Sequence, residues 1–325
     1  MSASPIFLSV VVPCYNVGPA IDELLASITA QMGDSDELVL VDDGSVDDTA
    51  ARIRTFVARS PRGAQIVLEQ TPNAGAARAR ALGLGLARGD FVFFCDSDDL
   101  LDAGFVATLR REHARHPAMD LLFFSSDMVT ERDGRLVPVA PKVAYAQART
   151  YADGGELLAH HFRQRMYTAA VWTYVARREL LARSGAAFTD RGAHEDHLFT
   201  LKVILSARLI VAVPELLYRQ RVRDGSLTNS RKSAGYVVDR ITAANEAMAV
   251  LRDRPAMLRR LYDDWSFYSV MWMLWDNRDL IGAVARTREG RAYLAARPLR
   301  LLGFAARAAR RGLRRAGAQA RRSGE

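Results

Sequence analysis

Several features that define other classes of protein are scarce or missing in this sequence. Only two of its 325 residues are cysteines, Cys14 and Cys95, and both lie in or beside apolar runs. They form neither a C-x-x-C pair nor a metal-ligand spacing, so we expect two buried thiols in a reducing compartment. No apolar stretch reaches about 18 residues, so no membrane-spanning helix is predicted. The first residues lack the basic start and apolar run of a signal peptide, which favours a cytoplasmic protein.

Lysine is scarce as well, and the positive charge is concentrated in one segment. The chain has three lysines against 42 arginines. Residues 291–325 contain ten arginines and a single acidic residue, whereas the rest of the chain holds 35 basic and 36 acidic side chains. The net charge of +8 is therefore a property of the carboxyl-terminal tail rather than of the body.

Two common nucleotide-binding signatures are absent after the first predicted strand. A nicotinamide dehydrogenase would carry G-x-G-x-x-G at that turn, and a nucleotidyltransferase would carry a glycine-rich loop with a lysine. The turn instead contains Pro13, Cys14, Tyr15 and Asn16. A nucleotidyltransferase on a related sheet is kept as an alternative hypothesis, although this turn does not favour it.

Apolar runs alternate with helical patterns in the first part of the chain, and this alternation predicts the fold class. It indicates an α/β, Rossmann-like, mostly parallel sheet with helices on both faces. Strands are predicted over 7–12, 37–41, 64–69, 91–95, 121–124, 208–213 and 215–220, with a hairpin turn at Asp133-Gly134. Helices are predicted over 19–30, 50–58, 76–87 and 103–116, with further helices between 155 and 205 and beyond about 235.

The pattern of elements also predicts how the chain is divided. We expect a sheet domain over 1–235, followed by a helical region with a basic tail over 236–325. The sheet domain is predicted to have two halves, over 1–118 and 119–235.

Two acidic clusters directly follow two of the predicted strands. Asp42 and Asp43 follow an apolar run, and so do Asp96, Asp98 and Asp99. Carboxylates at the carboxyl ends of parallel strands face the crevice where open α/β sheets bind ligands. Because like charges repel, a cation is expected among them. A divalent metal carrying a nucleotide diphosphate meets that need.

The second cluster has the D-x-D spacing of a metal site. Alternate residues of an extended segment point the same way, so Asp96 and Asp98 can approach one ion. Mg²⁺ and Mn²⁺ prefer oxygen ligands and bridge phosphate oxygens. Asp98 is therefore predicted to bind the metal, with Asp96 on the metal or the ribose, and Asp99 is expected to cap the next helix. A solvated acidic turn is the alternative.

A series of short motifs occurs in order along residues 6–230. They are V-V-P-C-Y-N at 11–16, L-V-D-D-G-S at 40–45, N-x-G-x-x-x-A-R at 73–80, G-D-F-V-F-F-C-D-S-D-D at 89–99, then Trp172, Glu195-Asp196, Arg221 and Ser226. This ordered set resembles family 2 glycosyltransferases with the GT-A fold, of the bacterial cell-envelope type. One departure is Ala81, where the family usually has Asn after the arginine.

The resemblance implies an inverting hexosyl- or N-acetylhexosaminyltransferase. It would move a sugar from a nucleotide-diphosphate sugar, which we predict to be a UDP-sugar, to a hydroxyl of a saccharide or lipid-linked acceptor. The cofactor would be Mn²⁺ or Mg²⁺. Asp196 would be the general base that takes the acceptor proton, with Glu195 as its neighbour or as a contact to the acceptor.

The resemblance also implies the remaining donor contacts. Residues predicted to contact the nucleotide sugar are Pro13 and Tyr15 at the base, Asp42 and Asp43 at the base and ribose, Arg80 at an acid or phosphate, Trp172 at the sugar, and Arg221 and Ser226 at the diphosphate. Packing in the core is the alternative for Trp172. Acids favoured at a helix N-terminus are the alternative for Glu195-Asp196. The flanking His194 and His197 suggest zinc, but a third ligand at a suitable spacing is lacking.

The basic tail allows a further prediction. Residues 299–315 mix leucines and Phe304 with arginines, which is typical of a helix lying on an anionic membrane surface. We therefore expect peripheral contact with the inner face of the cell membrane. No nucleic-acid partner is expected, because no stacking platform or reader motif accompanies the arginines. A non-catalytic protein bound through this tail to a membrane or nucleic acid is the third hypothesis.

Overall fold

The computed structural model describes residues 5–132, 135–222 and 231–308. These ranges form a mixed sheet with helices on both faces, which confirms the predicted α/β class. The strands are β1 (Leu8–Cys14), β2 (Asp36–Asp42), β3 (Ile66–Gln70), β4 (Phe91–Phe94), β5 (Leu100–Leu101), β6 (Leu121–Arg132), β7 (Arg135–Val143), β8 (Arg149–Tyr151), β9 (Tyr174–Arg177) and β10 (Ile210–Arg221). The helices are α1 (Ala20–Thr29), α2 (Thr49–Arg59), α3 (Ala76–Leu86), α4 (Phe105–Arg115), α5 (Gly154–Gln164), α6 (Arg178–Ser184), α7 (His197–Ser206), α8 (Ala234–Val250), α9 (Ala256–Asp276), α10 (Ile281–Arg286) and α11 (Arg288–Ala295).

The first half of the sheet is parallel, with strand order β3-β2-β1-β4. Strand β1 is central, and Val11 lies opposite Val39 on one side and Phe94 on the other. Val10 and Val12 pack on the face that α1 covers, whereas Val11 packs on the opposite face. Burial on both faces explains why these strands are continuous apolar runs. It also places the carboxyl ends of β1, β2 and β4 at one edge of the sheet.

Beyond β4 the sheet becomes mixed. Strand β9 pairs antiparallel with β4 and with β6, and β10 runs parallel to β6. The two strands expected around Pro214 are a single strand, β10, whose pairing register shifts between Ala212 and Leu216. Strand β9 was not predicted, because its four residues lie within a stretch of helical patterning. The predicted turn at Asp133-Gly134 lies outside the described residues, although Arg132 pairs with Arg135 on either side of it.

From about residue 235 to residue 308 the chain is helical, as predicted. Helices α8 to α11 and the helical residues 298–308 share a third apolar cluster, which includes Ile241, Phe267 and Val284. Helix α9 also packs against α5, and so it joins this cluster to the sheet domain. The predicted boundaries at 118 and 235 stay predictions. Cys14 and Cys95 are buried free thiols.

Candidate functional site

The parallel strands bring most of the predicted donor-binding residues to one cavity, which we call the strand-end cavity. Its volume is about 380 Å³. The predicted residues that line it are Pro13, Tyr15, Asp43, Arg80, Asp96 and Asp98. Tyr15 is half exposed there, so its ring is accessible to a planar ligand. The turn after β1, the loop after β2 and the loop after β4 thus converge as the topology requires.

The two aspartates after β2 both organise the loop, but only one of them lines this cavity. Asp43 is buried, and its carboxylate accepts hydrogen bonds from the backbone N–H groups of Ala74 and Gly75, both at 2.8 Å. Gly75 adopts φ +91°, a conformation that favours glycine. Asp42 lies behind the cavity and accepts a hydrogen bond from Gln70 Nε2 at 2.9 Å. Their roles at the base and ribose stay predictions.

Arg80 of α3 connects two acidic loops that the sequence keeps far apart. Its Nη2 donates to Asp96 Oδ1 at 2.8 Å, and its Nη1 donates to Glu195 Oε1 at 2.9 Å. The arginine is 8% exposed. Burial works against its charge, but the two carboxylates more than offset this and raise the pKa of Arg80. Although Ala81 replaces the Asn that usually follows this arginine in the family, Arg80 has two acidic partners.

Asp196 borders a second cavity, which we call the α7 cavity because it lies before that helix. The cavity has a volume of about 580 Å³ and is also lined by Arg80, Asp96 and Glu195. Burial, with the nearby charges of Glu195 and Asp96, raises the pKa of Asp196 to about 7, and Arg80 opposes the shift. Asp196 stands at the N-cap position of α7, but its side chain makes no capping hydrogen bond. The carboxylate is thus poised to accept a proton near neutral pH.

The donor set for a divalent metal is Asp96 and Asp98, which line the strand-end cavity together. Among the residues that the structure describes, no group of three His, Cys, Asp or Glu side chains could hold an ion. Two carboxylates completed by phosphate oxygens and water suit Mg²⁺ or Mn²⁺, which seldom occupy an all-protein cage. The residues present therefore fit a metal that arrives with a diphosphate.

Asp99 does not cap a helix, and that prediction was wrong. Its side chain is buried and accepts hydrogen bonds from Tyr218 Oη at 2.6 Å and from the Arg221 backbone N–H at 2.7 Å. The next residues form β5, which pairs with β10, so α4 begins only at Phe105. Burial raises the pKa of Asp99 to about 8. Asp99 therefore anchors β10 to the D-x-D loop.

Three other residues predicted to contact the donor do not line the strand-end cavity in the described structure. Trp172 is 3% exposed and stacks on Tyr218, with ring centroids 4.6 Å apart, so it packs in the core and only borders the α7 cavity. The Arg221 guanidinium is paired with Glu23 and lines neither cavity. Ser226 lies outside the described residues.

Several residues of the α7 cavity were not found by sequence reasoning. They come from β7, the turn after α5, and helices α8 and α9, namely Lys142, Arg165, Tyr236, Arg240 and Trp265. No local motif marks them, because the tertiary packing of the helical region brings them to the cavity. Trp265 both packs against the core and lines this cavity.

The two histidines beside Glu195-Asp196 do not act together. His197 is buried, and its Nε2 is 2.7 Å from Tyr262 Oη. His194 has φ +58° and packs edge-on against Tyr236. Burial lowers the pKa of His194 to about 3, so its ring is neutral. The zinc alternative therefore has no ligand set in the described residues.

Comparison with known proteins identifies the family of one part of the chain. Residues 9–168 match the model of Glycosyl transferase family 2. EpsJ of Bacillus subtilis, called an uncharacterized glycosyltransferase, is 30% identical over 222 residues, or 68% of this chain and 62% of that protein. YibD of Escherichia coli, described likewise, is 24% identical over 221 residues, or 68% of this chain and 63% of that protein. The chain thus spans a little under two thirds of these relatives.

Two solved structures share the fold. The crystal structure of S. aureus TarS 1-349 in complex with UDP-GlcNAc has a TM-score of 0.65 and 24% identity, covering 80% of this chain and 71% of that one. The mannosyltransferase PcManGT from Pyrobaculum calidifontis, in complex with GDP-Man and Mn²⁺, has a TM-score of 0.55 and 23% identity, covering 92% and 81%. The predicted GT-A fold is confirmed, and residues 9–168 carry a glycosyltransferase family 2 domain.

Proposed function

We propose that this protein is an inverting glycosyltransferase that uses a UDP-sugar and a hydroxyl acceptor in the synthesis of cell-envelope polysaccharide or glycolipid. The observation that carries the proposal is the double ion pair of Arg80 with Asp96 and Glu195. It joins the D-x-D loop to the loop that carries Asp196. Donor and base are thereby held at neighbouring cavities.

The donor would bind in the strand-end cavity. Tyr15 offers an exposed ring for the base, and Asp43 holds the loop that forms one wall. A hexose or N-acetylhexosamine would then extend towards Arg80 and Asp196. The UDP-GlcNAc bound by TarS, a protein of the same fold, supports this choice of donor class.

Asp96 and Asp98 would hold Mn²⁺ or Mg²⁺ against the diphosphate. Such an ion neutralises the charge that develops on the departing diphosphate. Arg80 keeps Asp96 oriented, since its Nη2 donates a hydrogen bond to Oδ1 of that carboxylate. The two carboxylates are the whole set that we assign to the metal.

Asp196 would carry out the proton transfer. As the acceptor oxygen attacks the anomeric carbon, its proton passes to the Asp196 carboxylate, and the bond from that carbon to the diphosphate breaks. A single displacement on the face opposite the leaving group inverts the anomeric configuration. Glu195 is held by Arg80 beside the base and keeps the local field negative.

The test measures the turnover of a panel of nucleotide sugars in the presence of Mn²⁺. Release of the nucleotide is the readout. UDP-GlcNAc, UDP-glucose, UDP-galactose and GDP-mannose cover the two bases and both hexose classes. We expect a UDP-sugar to be turned over and proton NMR of the product to show a β-linkage from an α-linked donor. An α-linked product would contradict inversion, and turnover of GDP-mannose alone would contradict the UDP assignment.

We further propose that the protein contacts an anionic membrane peripherally from the cytoplasmic side. Leu299 and Leu302 are 81% and 69% exposed on the helical residues 298–308, which also carry arginines. A lipid-linked acceptor would then be presented at the same surface. None of the helices in the described ranges is long and apolar enough to cross a bilayer.

A further inference from the structure

Besides Arg80, three basic side chains line the α7 cavity, together with the acidic side chains of Asp96, Glu195 and Asp196. The three basic side chains are Lys142 of β7, Arg165 at the end of α5, and Arg240 of α8. Within the residues that the structure describes, none of the three has a nitrogen atom within 4.0 Å of a carboxylate oxygen. Arg80, on the wall of the same cavity, has two ion pairs. Asp96 and Glu195 thus pair with Arg80 rather than with these three cations.

Arg240 is the most informative of the three. It is 2% exposed, and its guanidinium lies 4.7 Å from the centroid of the Trp265 ring. Its hydrogen bonds are long, at 3.3 Å to Ser269 Oγ and 3.4 Å to Ser266 Oγ, and Nη1 has no partner among the described residues. A buried charge without a counter-ion is costly, so a residue of this kind is typical of a site that receives an anion.

Lys142 has a matching property. It is half-buried, and burial alone lowers its pKa. No carboxylate contributes to the pKa shift of Lys142, whereas nearby carboxylates raise the pKa of Arg80. Arg165 reaches the cavity from the exposed turn that ends α5, where it adopts φ +58°. Three separate elements thus contribute positive charge to one space.

None of these three basic residues lines the strand-end cavity, to which the donor diphosphate is assigned. The α7 cavity and the strand-end cavity share only Arg80 and Asp96 among the residues that line them. The donor diphosphate is assigned to Asp96 and Asp98. A second anion in the α7 cavity would therefore belong to the molecule whose hydroxyl group Asp196 activates.

We propose that the acceptor carries a phosphate group, which Lys142, Arg165 and Arg240 bind while its hydroxyl faces Asp196. The inference rests on the proposed glycosyltransferase function and names the class of its acceptor as a phosphorylated sugar or polyol. A phosphate offers several oxygens to donors that arrive from three directions, and guanidinium groups bind it bidentately.

The test compares transfer to three acceptors that share the glucopyranose ring and differ at C6: glucose, glucose 6-phosphate and glucuronic acid. Rates are measured with the full chain at saturating UDP-sugar and Mn²⁺, and release of UDP without any acceptor is measured in parallel. We expect glucose 6-phosphate to exceed glucose by roughly tenfold or more in kcat/KM, as charged hydrogen bonds allow. Equal use of glucose and glucose 6-phosphate, or a preference for glucuronic acid, would overturn the phosphate assignment.

Variants locate the effect. Arg165→Gln and Lys142→Gln should each reduce the ratio of the phosphorylated to the neutral acceptor by about tenfold. Arg163→Gln is the matched control, because this exposed arginine lies on the same helix and does not line the cavity. If the ratio stays unchanged in both variants, the assignment is overturned. This holds whether or not a third variant, Arg240→Lys, folds.

Inorganic phosphate gives a second readout. We expect it to inhibit competitively against glucose 6-phosphate, whereas competition only against the UDP-sugar would place these cations on the donor and contradict the inference. If the wild-type protein turns over no nucleotide sugar in any arm, the proposed function itself fails. If UDP is released and none of the acceptors or phosphate shows a charge effect, only the inference on the acceptor fails.

Discussion

Arg80 and Glu195 are 115 positions apart in the sequence, yet the guanidinium Nη1 donates to the carboxylate Oε1 at 2.9 Å. The same guanidinium holds Asp96 at 2.8 Å. One buried side chain on α3 therefore links the loop that carries Glu195 and Asp196 to the D-x-D loop. The proposed reaction needs the acceptor oxygen and the donor carbon in line, so its rate should depend on how these two loops are placed relative to each other.

The first prediction concerns this link. Arg80→Met leaves two carboxylates without their counter-ion, and we expect it to lower the free energy of unfolding by about 3 kcal/mol or more. Arg78→Met is the matched control on the same helix, since its ion pair with Asp190 is exposed and contributes less than about 1 kcal/mol. Urea denaturation measures both. Similar losses in the two variants would show that the buried link has no special role.

The second prediction concerns the metal. Asp98→Ala should weaken Mn²⁺-dependent binding of UDP by about tenfold or more, because it removes one of two assigned ligands. EDTA should lower the affinity of the wild-type protein in the same way. Asp90→Ala is the control, since Asp90 precedes the opposite end of β4. Calorimetry with and without Mn²⁺ decides the matter: full metal-dependent affinity in Asp98→Ala would refute the assigned role.

The third prediction is the pH dependence of turnover. A base must be ionised to accept a proton, and burial raises the pKa of Asp196 to about 7. We therefore expect kcat/KM to increase with pH through about 7 and then to level off. The profile should be measured between about pH 5.5 and 8.5 with the metal saturating. A rate that is constant or declines with increasing pH up to 7.5 would be incompatible with Asp196 as the base.

The fourth prediction concerns membrane contact. Replacing Leu299 and Leu302 by serine should reduce binding to vesicles that contain anionic lipid, because it removes the exposed apolar side chains that would enter the interface. Val139→Ser, at an exposed position on β7, is the control. Cosedimentation with vesicles measures the bound fraction. Equal binding of all three proteins would rule out this surface.

Much of the strand-end cavity could be predicted from the sequence, because the signal there is local. Parallel strands are buried on both faces, so an apolar run followed by acids marks a strand and its ligand-facing end. Asp43, Asp96 and Asp98 were found in this way. The error at Asp99 has a tertiary cause, since pairing of β5 with β10 overrides the helix-start pattern.

The α7 cavity could be predicted only in part, because its walls come from distant segments. The loop with Glu195 and Asp196 was predicted from the resemblance, but nothing near Arg240 or Lys142 in the sequence marks a site. Their proposed role depends on burial and on the lack of an ion-pair partner among the described residues, and both are properties of the folded chain. The partner of Arg80 was likewise not predictable, since Glu195 reaches it through the packing of α3 near the start of α7.

The most direct test of the account is glycosyl transfer by Asp196→Asn together with its affinity for UDP. The amide keeps the shape of the carboxylate but cannot take a proton, so we expect transfer to decrease by about 100-fold or more while UDP and Mn²⁺ bind as in the wild type. Asp190→Asn, an exposed acid a few residues upstream, should retain full activity. Transfer by Asp196→Asn within a few-fold of the wild-type rate would contradict the central claim.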